Sequence, residues 1–540
     1  MVDLSIKSPV KGLDASQSAN LIDDRACVGG SINVDLKDGV VTAPYGFSKL
    51  SDLPESGEML LGLCSYKEVN GRVNLVAATN TKIHQHNPGN DVWDELSGDT
   101  IDADVFHPVS FASVYHQTAV GGKNQHLVIS DGGRSEIIRW PGNGLNLAEL
   151  AGGDDYNAGG ETGHRALQVI AYHERCILIS PYTYDGTNWV FNQSQVRYPQ
   201  IGELESWAGT GSGTHELVDT GDYNVRAELL GAVLAVYQSH SIWQYRWVGG
   251  TTVFVPDVII PSLGLLSYHL LVSAGNVHFF VGNDYNVYQY STGNLRRISD
   301  DISDLLKNDL NTSMTYGCRM ALDAQKRHLW IFIVTGTEQA VIAYRYNLLN
   351  GAWSVRDLSN YYTSGGVTAA VLLEAGVYAV GDSYADAVAD GTTYAAAVTA
   401  ATTYADTLTE MRMEERLTIG DDNGYVLQED FDTTEDDGTE PTHYFITKEF
   451  DGGVPDISKR IDGIMVDAKY PDICSSGTLT IEYKIDDGSW TALTSITLGS
   501  TFTPTKRYIN RTGKKIQFRF SGQYTLRSFS VFNVQIEERR

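Results

Sequence analysis

The chain has 540 residues, of which 42% are hydrophobic, 20% charged and 10% aromatic. This composition is that of a globular protein and excludes a disordered or fibrous chain, and the length predicts about two to four domains. The formal net charge is −27, with 40 basic against 67 acidic residues. Such a charge excludes a protein that wraps nucleic acid through its phosphates, but it is compatible with an acidic surface that DNA passes without adhering.

The cysteines are odd in number and widely spaced, and they form no CxxC pair: Cys27, Cys64, Cys176, Cys318 and Cys474. They predict neither structural zinc nor a disulfide framework. The first residues, MVDLSIKSPVKGLD, lack the apolar core of a signal peptide. No apolar run approaches the roughly 18 residues of a membrane span. We therefore expect a protein assembled in a reducing cytoplasm, without a membrane span.

A strand region from Gly29, GGSINVDLKDGVVTAPYGF, is followed by seven similar units. Each unit is an apolar run, a turn rich in Gly, Asp, Asn or Ser, and a second alternating strand, which is typical of a β-hairpin. The first apolar residues of the units are Leu75, Leu127, Ile177, Val233, Val277, Leu329 and Val377. Their spacings are 52, 50, 56, 44, 52 and 48 residues.

This period fits one four-stranded blade per unit and predicts a β-propeller of six or seven blades. A string of β-sandwich domains is the alternative, although it gives no reason for a steady period near 50 residues. The run RLTIGDDNGYVLQEDF from Arg416 is expected to complete the last blade, and the strand from Gly29 is placed to close the ring beside it.

An insertion at about residues 383–415 contains three decapeptides with Tyr384, Tyr394 and Tyr404 in register. Its alanine content favours a helix, whereas its ten-residue period and the even spacing of its apolar residues favour a hairpin. Both structures remain open. In either case the insertion is expected to project from the last blade.

From about residue 440 the strands alternate cleanly between apolar and polar residues, which predicts a C-terminal β-sandwich. Residues 440–540 contain 14 basic and 12 acidic residues, or +2, which leaves 26 and 55, or −29, on residues 1–439. The predicted protein is therefore all-β. Residues 1–50 form an N-terminal segment with the ring-closing strand, 51–439 form the propeller, and 440–540 form the sandwich.

No catalytic, cofactor or metal site is predicted, and we do not expect an enzyme. The strings TYDGTNW around Asp185 and IDDGSW around Asp487 have the wrong spacing for the Asp boxes of propeller sialidases. They are interpreted as hairpin turns followed by a core tryptophan. His84 and His86 share one face of a predicted strand and could bind a metal, but without a third ligand they are predicted to be solvated.

An acidic run follows the last propeller strands and contains Glu429, Asp430, Asp432, Glu435, Asp436 and Asp437. Carboxylate oxygens can hold Ca²⁺. The run does not fit the EF-hand pattern, however, and a solvated acidic loop is predicted.

The N-terminal string KGLDASQSANLIDDRACVGGSINVDLKDGVVTAPYGFSKL resembles the opening of tail hub or nozzle proteins of short-tailed bacteriophages. The family's Gly-Phe pair is Gly46-Phe47, although Ala43-Pro44-Tyr45 stands where a basic residue is usual. Further segments follow in the family's order, with Glu203-Leu204 departing from its pattern. They are VRYPQIGELESW, YQSHSIWQYRWVGG, IPSLGLLSYHLLVSAGNVHFFVGNDYNVYQYSTGNLRRIS, AYRYNLLNGAWSVRD, RLTIGDDNGYVLQEDF and the closing sandwich strands.

The resemblance covers nearly the whole chain and implies a packaged-DNA stabilisation protein. Such a protein is a structural virion component that forms a ring, typically of six copies, below the portal and adaptor. The ring extends the DNA channel, retains the packaged genome and lets double-stranded DNA pass on ejection without sequence-specific binding. It also carries a tail spike, fibre or plug. The implied location is the virion tail, after assembly in the host cytoplasm.

Candidate functional residues follow from this expectation and from the charge distribution. The acidic candidates for the channel or its mouth are Asp421, Asp422, Asp430 and Asp432. The basic candidates for a protein partner are Arg507, Arg511, Lys514 and Lys515. Tyr384, Tyr394 and Tyr404 mark a candidate nozzle projection. The alternatives are a virion-associated or secreted propeller glycosidase or carbohydrate-binding protein, and a monomeric propeller used as a binding module.

Overall fold

A computed structural model describes residues 2–50, 54–67, 73–87, 92–116, 125–142, 144–336, 339–376 and 413–536. These residues form 42 β-strands, one α-helix, α1 (Ser303–Asp309), and four 3₁₀ helices. The 3₁₀ helices are Gly153–Asp155, Ala158–Gly160, Gly250–Thr252 and Thr315–Gly317. The protein is all-β, as predicted, and no helix in its described part is long and apolar enough to cross a membrane.

Six short strands precede the first blade of a propeller. They are β1 (Val2–Lys7), β2 (Gly12–Leu13), β3 (Ala26–Cys27), β4 (Asp35–Lys37), β5 (Val40–Thr42) and β6 (Gly46–Lys49). β2 and β3 pair in parallel with each other, whereas the other four strands join larger sheets.

The propeller consists of antiparallel sheets that follow one another along the chain. Blade 1 contains β7 (Gly62–Lys67), β8 (Val73–Ala78), β9 (Ile83–Asn87) and β10 (Val92–Leu96). Blade 2 contains β11 (Ser110–Tyr115), β12 (Gln125–Ser130), β13 (Ile138–Trp140) and β14 (Ala148–Glu149). Blade 3 contains β15 (Ala166–Tyr172), β16 (Arg175–Tyr184), β17 (Trp189–Phe191), β18 (Gln195–Tyr198) and β19 (Gly213–Glu216).

The remaining blades have the same arrangement. Blade 4 contains β20 (Asn224–Leu230), β21 (Val233–Gln238), β22 (Ile242–Trp247) and β23 (Phe254–Ile260). Blade 5 contains β24 (Leu271–Ser273), β25 (His278–Val281), β26 (Val287–Ser291) and β27 (Asn294–Arg297). Blade 6 contains β28 (Arg319–Asp323), β29 (His328–Ile333), β30 (Ile342–Asn347) and β31 (Trp353–Asp357). Blade 7 contains β32 (Val367–Gly376), β33 (Met413–Asp421), β34 (Val426–Asp430) and β6.

The blades form a closed ring. The first strand of each blade, here called its inner strand, contacts the inner strand of the next blade, and β32 of blade 7 contacts β7 of blade 1. The outermost strand of blade 7 is β6, in which Gly46 pairs with Asp430 and Lys49 with Leu427 of β34. The N-terminal region therefore closes the ring, and the described residues form seven blades, the larger of the two predicted numbers.

The apolar runs of the repeat form the second strands of the blades. β8 and β29 are buried along their whole length, because a strand with neighbours on both edges and packing on both faces is shielded from water on every side. In blade 7 the second strand is the run around Arg416. Val377, which was predicted to begin the seventh unit, lies outside the described residues.

The predicted insertion leaves the propeller between β32 and β33. These strands pair as far as Gly376 and Met413, so residues 413–415 are strand and not insertion. Tyr384, Tyr394 and Tyr404 lie outside the described residues. Gly376 and Met413, the two anchors of the insertion, lie on the face of the propeller where the first and second strands of each blade are connected. This face is here called the hairpin face. The opposite face, where one blade leads to the next, is called the mouth face.

Two further sheets form the sandwich. Its C-terminal strands are β35 (Tyr444–Ile446), β36 (Lys459–Lys469), β37 (Gly477–Ile485), β38 (Thr491–Ala492), β39 (Ile496–Leu498), β40 (Thr503–Gly513), β41 (Ile516–Ser521) and β42 (Thr525–Ile536). One sheet has the order β4-β5-β42-β36-β40, with β1 beside β42. The other has the order β35-β41-β37-β38, with β39 beside β37.

The sandwich therefore contains strands from both ends of the chain. The prediction placed it in residues 440–540 alone, but β1, β4 and β5 complete one of its sheets. Local patterning does not reveal this arrangement, because β1 pairs with β42 at the far end of the sequence. Phe518, Phe520 and Phe529 pack together in the sandwich core.

A buried polar network joins the sandwich to blade 6. Arg356 of β31 donates from Nη1 to Asn33 Oδ1 (2.9 Å) and from Nη2 to Asp436 Oδ1 (2.5 Å). Nearby, Arg345 Nη2 lies 3.0 Å from Asp35 Oδ1. Burial raises the pKa of Asp436, and the charge of Arg356 opposes this effect. Removal of one partner from such a buried pair leaves an uncompensated charge, so this network fixes the N-terminal segment and the loop after β34.

The acidic run from Glu429 to Asp437 begins inside β34 and is exposed at Asp432, Glu435 and Asp437, so the prediction of a solvated loop was wrong for part of the run. Glu429 and Asp436 are buried. The ion pairs of the run are Glu429–Lys326 (2.8 Å), Asp436–Arg356 (2.5 Å) and Asp437–Lys49 (2.7 Å). The basic partners come from other elements, so the run alone did not indicate them. Among the described residues, no group of three His, Cys, Asp or Glu side chains could hold a metal.

Candidate functional site

The propeller encloses a central cavity of about 680 Å³, which all seven inner strands line. Small-molecule sites in proteins have volumes of about 300–1,000 Å³ and largely apolar walls with a few polar groups. The cavity has this character, with apolar residues such as Leu61, Val109, Phe111 and Met320. Its polar side chains include Ser110, Gln168, Arg226, Glu228, Tyr268, His269 and Arg319.

Arg319 is a buried cation in the cavity wall. It begins β28 and is 2% exposed. Its Nε donates to the carbonyl of Thr368, and its Nη1 donates to the carbonyls of Tyr316 (2.6 Å) and Cys318 (2.9 Å). Among the described residues it forms no ion pair with a carboxylate. Burial lowers its pKa to about 10, so it is positively charged at neutral pH.

Arg226 is the second cation of the cavity. Its Nη2 donates to Glu228 Oε2 (2.8 Å), and its Nη1 donates to the carbonyls of Tyr268 (3.2 Å) and Leu271 (3.0 Å). Its guanidinium also lies 5.2 Å from the ring centre of Tyr268. Nε is buried and has no hydrogen-bond partner in the described structure. Glu228 is the lone carboxylate among the described lining residues.

His269 and Tyr268 lie beside these two arginines, in the connection that precedes β24. Burial and the nearby charges of Arg319 and Arg226 hold the pKa of His269 well below its usual range. Burial raises the pKa of Tyr268 to about 12. Both side chains are therefore neutral at pH 7. Glu228 compensates the charge of Arg226. The polar side chains of the cavity together therefore carry one net positive charge, that of Arg319.

Other polar side chains along the inner strands connect adjacent blades. Gln168 of blade 3 donates to the carbonyl of Ala227 in blade 4 (2.8 Å) and accepts its N–H (2.7 Å). Thr368 of blade 7 donates to the carbonyl of Leu60 before blade 1 (2.6 Å). Ser110 of blade 2 accepts the N–H of Val169 in blade 3 (3.0 Å). The wall of the cavity is thus fixed by hydrogen bonds between blades.

The mouth of the cavity is bridged by two aromatic rings. Phe106 lies in the connection between blades 1 and 2, and Tyr316 lies in the connection between blades 5 and 6. Their ring centres are 4.2 Å apart. Since blades 6, 7, 1 and 2 are consecutive, the two loops meet from nearly opposite sides of the ring. The carbonyl of Tyr316 accepts a hydrogen bond from Arg319, which connects this bridge to the cavity.

No protein-family model and no curated protein sequence matches the chain. Solved structures with similar folds include YCF48 bound to D1 peptide, at 11% identity and a TM-score of 0.35, over 74% of this chain and 99% of that one. The AfRom2 CNH domain is similar at 9% identity and a TM-score of 0.35, over 72% and 99%. A glycoside hydrolase family 43 arabinoxylan arabinofuranohydrolase from Bacillus subtilis, in complex with cellotetraose, is similar at 8% identity and a TM-score of 0.22, over 97% and 98%.

Two of the predicted acidic residues lie on the mouth face. Asp421 ends β33 and is 1% exposed. Its Oδ1 accepts the N–H groups of Asn423 (3.0 Å) and Tyr425 (2.8 Å), and burial raises its pKa to about 6. The side chain is therefore enclosed in this turn and does not reach the solvent. Asp422 is partly exposed and accepts the N–H of Gly366 (3.0 Å).

The other two lie at the opposite end of blade 7. Asp430 ends β34 and accepts the hydroxyl of Ser48 (2.6 Å) and the N–H of Asp432 (3.0 Å). Asp432 is exposed. The structure therefore does not bring the four aspartates together, and none of them lines the central cavity.

The predicted basic residues lie on or beside β40, an edge strand of the sandwich. Arg507 donates to the carbonyls of Thr494 (2.8 Å) and Ser495 (3.0 Å). Lys515 pairs with Glu449 (2.7 Å) and Asp487 (3.2 Å). Arg511 and Lys514 are exposed. The edge of this sheet is therefore basic, and two of the four predicted cations are directed to solvent.

His84 and His86 are buried, and the prediction of solvated side chains was wrong. In β9, His84 lies opposite Ala77 of β8, and His86 lies opposite Trp93 of β10. Residues opposite each other in a sheet share one face. That face packs against blade 7, so both imidazoles are enclosed between blades.

The tryptophans after the two Asp-box-like strings are not core residues. Trp189 follows the hairpin turn at Asp185 and is partly exposed beneath the guanidinium of Arg165, 4.7 Å from its ring centre. Trp490, after Asp487, is also partly exposed and lies near Arg519, at 4.9 Å. Each aromatic ring thus contacts a cation, remains partly exposed and does not lie in an apolar core.

Sequence reasoning missed Arg226, Arg319 and His269. The apolar runs of the repeat mark second strands, whereas the cavity is lined by the strands before them. Arg226 precedes the run at Val233, and Arg319 precedes the run at Leu329. The positions of these two arginines were nevertheless informative. The strand before an apolar run is the inner strand of its blade, so an arginine in that strand lies near the propeller axis.

Proposed function

We propose that this chain is a structural subunit of a ring in the tail of a short-tailed bacteriophage. The ring, with six copies, extends the DNA channel below the portal and adaptor, retains the packaged genome and lets it pass on ejection. The chain acts by position and charge, without turnover of a substrate. The observation that carries the proposal is the ordered series of sequence segments that resemble tail hub proteins from Gly46-Phe47 to the closing sandwich strands.

The distribution of charge supports a channel for DNA. Residues 1–439 carry −29 and residues 440–540 carry +2, so a ring of six copies at −27 each carries −162. An acidic wall repels phosphates and prevents adhesion. A DNA duplex does not fit into a cavity of about 680 Å³. In the proposal the channel is therefore the space that several copies enclose.

The arrangement of the domains supports attachment to other tail proteins. The near-neutral sandwich has a basic edge at β40, where Arg511 and Lys514 are exposed. The anchors of the insertion, Gly376 and Met413, lie on the hairpin face of the propeller. We assign the β40 edge to a protein partner in the connector. The insertion is assigned to the nozzle, where it meets a spike, fibre or plug.

The test is retention of DNA by particles that lack the chain. An amber mutation in its gene, in the phage that encodes it, is expected to give heads that package DNA and then release it, measured as loss of protection from DNase. Addition of purified wild-type protein to these heads restores protection. Heads that keep their DNA protected without this chain would contradict the proposal.

A second candidate, carbohydrate binding, is favoured by the hairpin of β16 and β17. Tyr182 pairs with Phe191 and Tyr184 with Trp189, which places four aromatic side chains on one face. Aromatic faces of this kind present a large apolar area together with polar tips. The test is a glycan array probed with the wild-type protein and with Trp189→Ala. Binding that Trp189→Ala abolishes supports this candidate, and absence of binding by the wild type rejects it.

A further inference from the structure

We propose that the central cavity binds a small organic anion that carries a phosphate group, with Arg226, Arg319 and His269 as its ligands. This site lies within the propeller of a single copy. The inference does not depend on the ring proposed above, and either can fail without the other.

The first argument is the uncompensated charge of Arg319. A buried ion is costly unless it is paired, and carbonyl groups alone supply no counter-charge. Arg319 lines the cavity, is 2% exposed and has no carboxylate partner among the described residues. An anion in the cavity supplies the missing counter-charge.

The second argument is the set of free donors that line the same space. Hydrogen bonds occupy Nε and Nη1 of Arg319, so its Nη2 has no protein acceptor among the residues that the structure describes. Nε of Arg226 is enclosed by protein, but its Nη2 donates only to Glu228 and keeps a second N–H. The imidazole of His269 lines the cavity without a hydrogen-bond partner in the described chain. Three side chains therefore each offer an unused hydrogen-bonding group.

The third argument concerns the kind of anion. The donors come from β20, from β28 and from the connection before β24, so they approach the cavity from different sides. A tetrahedral phosphate presents three oxygens in different directions, whereas a carboxylate presents two in one plane. The volume and the apolar wall leave room for an organic part beside the phosphate, against residues such as Phe111 and Met320.

Isothermal titration calorimetry tests the site with inorganic phosphate and with phenyl phosphate, at constant ionic strength in sodium chloride. We expect saturable binding of one phosphate per chain, and tighter binding of phenyl phosphate because its ring contacts the apolar wall. Arg319→Gln and Arg226→Lys are each expected to weaken binding at least about tenfold, since each removes a charge-assisted hydrogen bond. Arg226→Lys keeps a cation beside Glu228.

The control is Arg296→Gln, which changes an exposed arginine on the outermost strand of blade 5. It is expected to bind both probes like the wild type. Circular dichroism establishes that each variant is folded, and if Arg319→Gln does not fold, Arg226→Lys and His269→Gln decide the question. The inference is overturned if the wild type shows no saturable binding, or if folded cavity variants bind as tightly as Arg296→Gln.

Discussion

The rings of Phe106 and Tyr316 contact each other across the mouth of the propeller at an interplanar angle of 40°, with centres 4.2 Å apart, although 210 residues separate them in the sequence. Phe106 is 60% exposed, so little of its stabilising effect comes from burial. The contact joins the loops before blades 2 and 6. It therefore links two nearly opposite sides of the propeller.

The interaction free energy of Phe106 and Tyr316 is measurable by a double-mutant cycle. Aromatic pairs contribute about 0.5–1.5 kcal/mol beyond the area that they bury. We expect Phe106→Ala, Tyr316→Ala and the double variant to show a coupling free energy in that range, from urea unfolding followed by tryptophan fluorescence. Strictly additive effects of the two single substitutions on the free energy of unfolding would show that the rings do not interact.

Gly46, which belongs to the Gly-Phe pair noted in the sequence, permits closure of the ring. A Cβ at this position would lie 1.9 Å from the carbonyl oxygen of Glu435. We expect Gly46→Ala to lower the free energy of unfolding by at least about 2 kcal/mol, because β6 and the loop backbone at Glu435 must move apart. Gly29→Ala is the matched control, since a Cβ there meets no atom within 4 Å. Equal thermal stability of the two variants is the result that this explanation does not allow.

The buried pair of Arg356 and Asp436 is expected to be more important for stability than an exposed pair. Asp436→Asn leaves the guanidinium of Arg356 without its counter-charge, and loss of one partner from a buried pair costs about 3–5 kcal/mol. Asp257→Asn breaks the exposed pair with Arg246 and is expected to cost at most about 1 kcal/mol. Urea unfolding of both variants measures the difference. A cost for Asp436→Asn no larger than that for Asp257→Asn would refute this assignment.

Buried histidines are expected to make the protein less stable in acid. Burial lowers the pKa of His443 to about 4, against about 6.5 in an unfolded chain. As the pH falls below about 6.5, the unfolded chain takes up a proton that folded His443 does not, so the free energy of unfolding decreases until about pH 4.

The variant His443→Gln removes this titration while it keeps a donor for the carbonyl of Asn33, which His443 contacts at 2.8 Å. The loss of stability between pH 7 and pH 5 is expected to be smaller in this variant by up to about 2 kcal/mol. Identical pH profiles for His443→Gln and the wild type would disprove the contribution of His443.

The propeller could be predicted from sequence because its second strands are buried on both faces. Residues such as Leu127 and Leu329 therefore stand in continuous apolar runs that recur with the blade period. The strands around the axis have no such pattern, since one edge of each lies on the cavity. For this reason Arg226 and Arg319 belong to no recurring motif, and only their position before an apolar run indicates them.

Long-range pairing explains the other differences. Glu429 looked like part of a solvated acidic run, but its partner Lys326 lies in blade 6. β1 gave no indication of the sandwich, because its partner β42 ends the described chain. In both cases the local sequence contains one half of an interaction, and only the closed fold supplies the other half.

The most direct test of the central claim is the solution mass from light scattering, measured for the chain alone and after mixing with portal and adaptor rings from the same genome. We expect a monomer of 59.2 kDa alone. On the connector we expect a ring whose six copies add about 355 kDa to its mass. A chain that stays at 59.2 kDa and leaves the mass of the connector unchanged would contradict the account.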